Sequence, residues 1–165
     1  MITHALTLRP WWAAAIVAGA KRIENRGRRL PVKWIDKPVA LHAGRRQMVA
    51  EDRPTLSRFA QDLRDLGIVS GACVERSIVA VVRFTGWRAP MDNTGPWSVP
   101  GEFGWEVGEV TPIEPVPAQI GALGFWALDE WTRERVNAAR VAVPQPRPGL
   151  PEPMRIGGGA SCATL

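Results

Sequence analysis

The sequence predicts an α+β domain: a small barrel or strongly curved sheet of five to six mostly antiparallel strands, with two to three flanking helices. Three observations predict it. Short alternating or β-branched runs recur at 6–8, 22–29, 38–43, 77–87, 105–110 and 124–128. Helical stretches are fewer than strands, so they cannot alternate with them as a doubly wound sheet requires. The remaining connections are long or rich in Pro and Gly. No internal repeat is present, and 165 residues make one domain with room for a core.

The chain is organised around Leu6 to Arg26. Leu6, Thr7 and Leu8 alternate as a half-buried strand does, and Arg9 ends it. Pro10 opens a helix, because its fixed φ suits the first helical position. Trp11 to Ala18 is unbroken apolar sequence and Gly19 stops it. A helix with no polar face must be buried or floor a groove. Lys21, Arg22, Glu24 and Arg26 then crowd charge around Ile23, running into the basic turn Arg26-Gly27-Arg28-Arg29. Residues 30–37 read as a loop around Pro31 and Trp34. Pro38 to Ala43 is an apolar strand with His42 near its end, followed by a basic corner at Arg45 and Arg46.

Residues 53–66 read as the main helix, capped by Asp52, with Leu56, Phe59, Leu63 and Leu66 as one apolar stripe. Ser77 to Trp87 is the strongest strand and should be central. Residues 88–104 form a long irregular segment, a length usual for functional lids or disorder. Trp97 in its middle either meets a ligand or folds back onto the core. Trp105 to Val110 alternates as a strand; Pro112, Pro115 and Pro117 make the next connection extended. Gly124 to Leu128 is a last strand, and Asp129 caps a final helix from Glu130 to about Val141. We divide the chain into a domain over 1–143 and a Pro/Gly-rich tail over 144–165, which lacks periodicity and need not be ordered.

Composition narrows the function. Apolar content of 45% and charged content of 22% are those of a soluble globular protein. A formal charge of +5 and a pI near 10.2 suit a polyanionic partner. Eight Trp and no Tyr build either the core or a stacking surface. Cys73 and Cys162 are far apart, which gives no disulfide framework and no zinc spacing and fits a reducing, cytoplasmic compartment. With only His4 and His42 as histidines, no His-rich metal site is expected, and no cofactor is implied. No apolar run reaches about 18 residues, so no membrane partner is expected. The N-terminus lacks a basic region followed by a cleavage site, so no signal peptide is expected. Nothing points to an obligate protein partner; the Pro-rich tail is the one segment that suits an adaptor role.

The blocks LTLRPWW, AGAKRIENR, ALHAGRR, PWSVPGEFGWEV and GALGFWAL, in that order from about residue 6 to residue 128, resemble those of the ASCH domain family, within the PUA-like superfamily. The most specific is Gly-x-Lys-x-x-Glu-x-Arg, here Gly19, Lys21, Glu24 and Arg26. One departure is that Arg9 is followed directly by Pro10, where the family often reads Arg-Gln-Pro-Trp. The resemblance implies a PUA-like β-barrel with a cleft beside the first helix, and a role in binding RNA, another nucleic acid or a modified nucleobase or nucleoside. Some relatives are hydrolases. One subgroup removes acetyl groups from acetylated cytidine with the Lys of the block, a Thr nucleophile and a Glu elsewhere; here Lys21 is present, but Glu24 stands at the Thr position. Other relatives are linked to RNA cleavage.

Two functional readings follow. In the first, a nucleic-acid-binding module uses Arg9, Trp11, Trp12, Lys21, Glu24, Arg26, Arg45, Arg46 and Trp97, with Arg28 and Arg29 extending the rim: cations for phosphates, rings for bases. One of Trp11 and Trp12 should lie in the core and the other in the cleft. In the second, a hydrolase uses Lys21 and Glu24 as its catalytic pair. Geometry constrains this pair, because residues three apart in a strand point to opposite faces. They converge only if Lys21 belongs to the turn before the strand and the strand starts at Arg22 or Ile23. Arg22, Glu24 and Arg26 would share one strand face. His42 reads as a satisfied core or strand-end residue; Thr94 and Ser98 are nucleophiles without a visible activator.

Overall fold

The computed structural model describes residues 1–45, 52–68, 73–118 and 121–142. Its framework is one six-stranded sheet in the order β2-β5-β4-β3-β1-β6. β1 (His4–Leu8) leads into α1 (Pro10–Val17), then β2 (Ile23–Arg26), a short 3-10 turn at Val32–Trp34, and β3 (Pro38–Ala43). Two short helices, α2 (Asp52–Arg58) and α3 (Ala60–Asp65), precede β4 (Ser77–Arg88), β5 (Phe103–Pro117), β6 (Phe125–Ala127) and α4 (Glu130–Ala142). The β1–β3 pair is parallel and every other pairing is antiparallel, so the sheet is mostly antiparallel as expected.

The sheet is strongly curved. β6 is one edge and β5 lies next to the other, yet the rings of Trp105 on β5 and Phe125 on β6 stack 5.5 Å apart at 3°. Only a sheet rolled into a half-barrel brings those strands together. Alternation then sorts the side chains. Leu6, Leu8, Leu41, Phe84 and Trp105 fill the interior with Ile16 of α1. Ala5, Ala40, Ile78, Ile113 and Val116 point outward and are covered by α4 through Val136. The Asp129 carboxylate accepts hydrogen bonds from the Thr132 N–H and hydroxyl at 2.8 Å, capping α4 as the sequence predicts. These bonds hold its carboxyl below the usual carboxylate range.

Two expectations are corrected. The single helix over 53–66 is broken at Phe59, whose backbone leaves helical geometry at φ −104° and ψ 13°. Phe59 is stacked on Trp97 at 5.2 Å and edge-on to Trp12 at 5.8 Å, so tertiary packing fixes this residue at the expense of helix continuity. The apolar stripe also ends early: Phe59 and Leu63 are buried, but Leu66 is exposed. The side chain of Asp52 lies outside the described residues. The second correction is that Pro112, Pro115 and Pro117 do not form a connection but belong to β5. β2 pairs with β5 only as far as Glu106, so beyond that point β5 has a free edge, where a residue without an N–H is tolerated. The tail over 144–165 and Cys162 lie outside the described residues.

Candidate functional site

A cleft of about 780 Å³ opens where the C-terminal end of β1 meets β2, β3 and the segment before β6. Its charged half is built by the turn between α1 and β2. Gly19 takes φ +78°, and the N–H groups of Ala20 and Lys21 both donate to the Ala15 carbonyl. This turn ends α1 and leaves Lys21 outside β2, which starts at Ile23. Lys21 and Glu24 therefore converge: the ammonium donates to Glu24 Oε2 at 2.8 Å and to the Ile23 carbonyl, and lies 5.9 Å from the centre of the Trp12 ring. Both residues are buried, at 2% and 5% exposure. Glu24 Oε1 lies 3.0 Å from Arg26 Nε as an ion pair, and Arg26 Nη2 donates to the Thr7 carbonyl at 3.2 Å. Arg22 does not join them. It precedes the strand, is exposed, and donates to the Gly108 carbonyl.

The other half of the cleft is uncharged. Thr7 and His42 are register partners in the parallel β1–β3 pair, so their side chains are neighbours on one face. His42 is 1% exposed, and burial lowers its pKa below the ordinary value. Its Nε2–H donates to the Ala118 carbonyl at 2.8 Å, which leaves Nδ1 as an acceptor. The Thr7 hydroxyl donates to that Nδ1 at 3.1 Å and accepts from Trp126 Nε1 at 3.0 Å. Gly121 faces this group: a Cβ there would meet Thr7 Oγ1 at 2.4 Å and His42 Nδ1 at 2.7 Å.

The segment over 88–104 is pinned down. Asn25 donates to the Trp97 carbonyl at 2.8 Å and accepts from the Val99 N–H at 2.9 Å and from Asn93 Nδ2 at 3.0 Å. Gly104 admits Asn93, because a Cβ there would lie 2.2 Å from the amide oxygen. Trp97 sits at φ +64° and is buried, so it folds back onto the core. It packs with Trp11 and Phe59 against Trp12, whose half-buried ring lines the cleft together with Phe59. Of the adjacent pair, then, Trp11 is core and Trp12 is wall.

Arg9 and exposed Arg45 line the cleft with Lys21, Glu24 and Arg26, whereas Trp11, Trp97, Arg28 and Arg29 do not reach its lining. Arg46 lies outside the described residues. Thr94 is exposed on the far loop, and Ser98 is buried with its hydroxyl unbonded; neither lines the cleft. Among the polar contributors that sequence reasoning missed are Thr7, Asn25, Thr55 and Glu102. Glu102 is half-buried, and burial raises its carboxyl pKa, with the Glu24 charge adding to the effect and Arg26 and Lys21 opposing it. Its signal was its place inside the PGEFG turn next to a strand that leads into the site. Among the described residues no His, Cys, Asp and Glu group could hold a metal ion, and no helix is long and apolar enough to cross a membrane.

No family model and no curated protein matches the chain. Among solved structures it is similar to the ASCH protein of Zymomonas mobilis, with 13% identity, a TM-score of 0.48, and coverage of 82% of this chain and 93% of that one. Two point variants of the same protein align at 14% and 13% identity, each with a TM-score of 0.48, covering 82% of this chain and 94% and 96% of theirs.

Proposed function

We propose that the chain binds RNA or a modified nucleobase or nucleoside, taking one base into the cleft between Trp12 and the rim formed by Arg9 and Arg45. The observation that carries this reading is the convergence of an aromatic wall and these cations on one concave site of about 780 Å³, within the usual range for small-ligand pockets. The ASCH-like blocks support the same reading. Lys21 and Arg26 add positive charge, but Glu24 already pairs with both. The cleft therefore suits a base with one or two phosphates better than a long polyanion.

Fluorescence anisotropy with short single-stranded RNA, and calorimetry with cytidine and acetylated cytidine, test this reading. If two arginines meet phosphates, log affinity should fall against log salt with a slope of about −1.4. Absence of binding to every RNA and nucleoside at low salt would overturn it. The hydrolase reading gains one specific observation, the 2.8 Å approach of Lys21 to Glu24 inside the cleft. Turnover of acetylated cytidine or of an RNA panel, lost in Lys21→Ala with the fold intact, would establish it; no turnover by the wild type leaves binding alone.

A further inference from the structure

We propose that Thr7 and His42 form a nucleophile–base pair, with which the chain hydrolyses an activated ester or amide through an acyl-threonine intermediate. The pair meets the geometric requirement for an activated hydroxyl: a nucleophile bonded to a base whose other side is held by a third group. Thr7 Oγ1 is 3.1 Å from His42 Nδ1, and the Ala118 carbonyl, 2.8 Å from Nε2, fixes the tautomer that leaves Nδ1 free to take a proton. Trp126 Nε1 occupies one lone pair of the Thr7 oxygen. The second lone pair remains for attack, since a hydroxyl accepts twice.

The charged residues of the same cleft are less suited to that role. Lys21 donates to Glu24 and to the Ile23 carbonyl, and both Glu24 oxygens face cations. Thr7 and His42 both line the cleft, and the groups on His42 are the Thr7 hydroxyl, the Ala118 carbonyl and the Trp126 ring, none of which titrates in the working range of an imidazole. Gly121 matters because it lacks a side chain. Its backbone packs directly on the pair: a Cβ there would meet Thr7 Oγ1 at 2.4 Å and His42 Nδ1 at 2.7 Å, so only glycine leaves the two in hydrogen-bonding position.

The step balances without a further reagent than water. Thr7 Oγ1 bonds to the substrate carbonyl carbon as its proton passes to His42 Nδ1. The carbon–heteroatom bond breaks, and the leaving group takes that proton from His42. Water then adds to the threonine ester, giving its own proton to Nδ1. The carbon–Oγ1 bond breaks, the acid departs, and Thr7 regains its proton. This inference does not rest on nucleic-acid binding.

The probe is p-nitrophenyl acetate with the full chain, read by nitrophenol release and by peptide mass mapping of the acetylated protein. The wild type should carry acetyl on Thr7. Thr7→Ser should retain turnover. Thr7→Val and His42→Gln should lose about a hundredfold or more, as removal of a general base does. The wild-type rate should rise with pH through a titration below the ordinary histidine value, because burial keeps His42 neutral. Gly121→Ala, on an exposed loop, should lower acylation, because its Cβ forces the Thr7 hydroxyl and the His42 ring apart. Acetyl found only on lysines or the N-terminus, or a Thr7→Val rate equal to that of wild type, would overturn the proposal. The wild-type map decides even if a variant fails to fold.

Discussion

The two halves of the cleft hold polar side chains in opposite ways. In the charged half, Lys21, Glu24 and Arg26 neutralise one another, and their positions are over-determined by burial and by bonds to the Ile23 and Thr7 carbonyls. In the neutral half, Trp126, Thr7 and His42 form a directed chain of hydrogen bonds that ends on the Ala118 carbonyl and carries no charge. The charged half is the more conspicuous in sequence, yet its charges are already paired. The difference teaches that a cluster of charges with motif spacing can be scaffold, while an ordinary Thr on a strand can be the group left with unused bonding capacity.

The sharpest way to break this contrast is to remove the centre of the charged half. Glu24→Ala leaves Lys21 buried at 2% exposure without its carboxylate, and breaking a buried pair costs about 3–5 kcal/mol. Denaturant unfolding should show a loss of that size; a loss below about 1 kcal/mol would mean that the ammonium is solvated in solution and the network is not scaffold. Next in size is Asn25→Ala. It removes the acceptor of the Val99 N–H and the donor to the Trp97 carbonyl, at about 1–3 kcal/mol for the buried groups left unpaired. Limited proteolysis should then cut within 88–104, whereas the wild-type segment, pinned by Asn25, should resist it.

How much of this was legible depends on how local the cause is. The strand limits around Ser77 and Pro38, the Pro10 start and Gly19 stop of α1, and the Asp129 cap are set by nearest neighbours, and each is readable in the chain. The convergence of Lys21 and Glu24 was readable as a condition on where β2 begins, and β2 begins at Ile23. The break at Phe59 was not readable, because its cause is Trp97, far along the chain and stacked on it. The prolines of β5 misled for a similar reason: only the sheet order shows that their strand has a free edge there. Thr7 and His42 were each visible, but their pairing follows from the β1–β3 register, which no local pattern encodes.

A smaller effect separates the halves by pH. His42 has its folded pKa lowered from 6.5, so between the folded value and 6.5 the unfolded chain binds more protons, and stability falls as pH drops through that window. Glu102 has its folded pKa raised from 4.5, so just above 4.5 the native chain binds more protons, and its contribution falls as pH rises. Unfolding followed against pH in His42→Gln should lose the first dependence and keep the second. Glu102→Gln should do the reverse. If neither variant changes the pH profile of stability, the two groups titrate alike in folded and unfolded chains, and the difference between the halves is not electrostatic.

The smallest expected change in stability belongs to the rim. Arg45 is exposed and lines the cleft, and surface substitutions away from packed features usually stay within about 0.5 kcal/mol. Arg45→Ala should therefore unfold with the wild type while weakening RNA binding at low salt, and it should make the salt slope shallower by about 0.7, the share of one phosphate on a single strand. Arg26→Ala gives the contrasting result, because Arg26 is tied to Glu24 and to the Thr7 carbonyl. Its loss should lower stability and leave the salt slope nearly as it was. If instead Arg26→Ala flattens the slope and Arg45→Ala does not, phosphates reach the floor of the cleft, and the charged half is a binding surface after all.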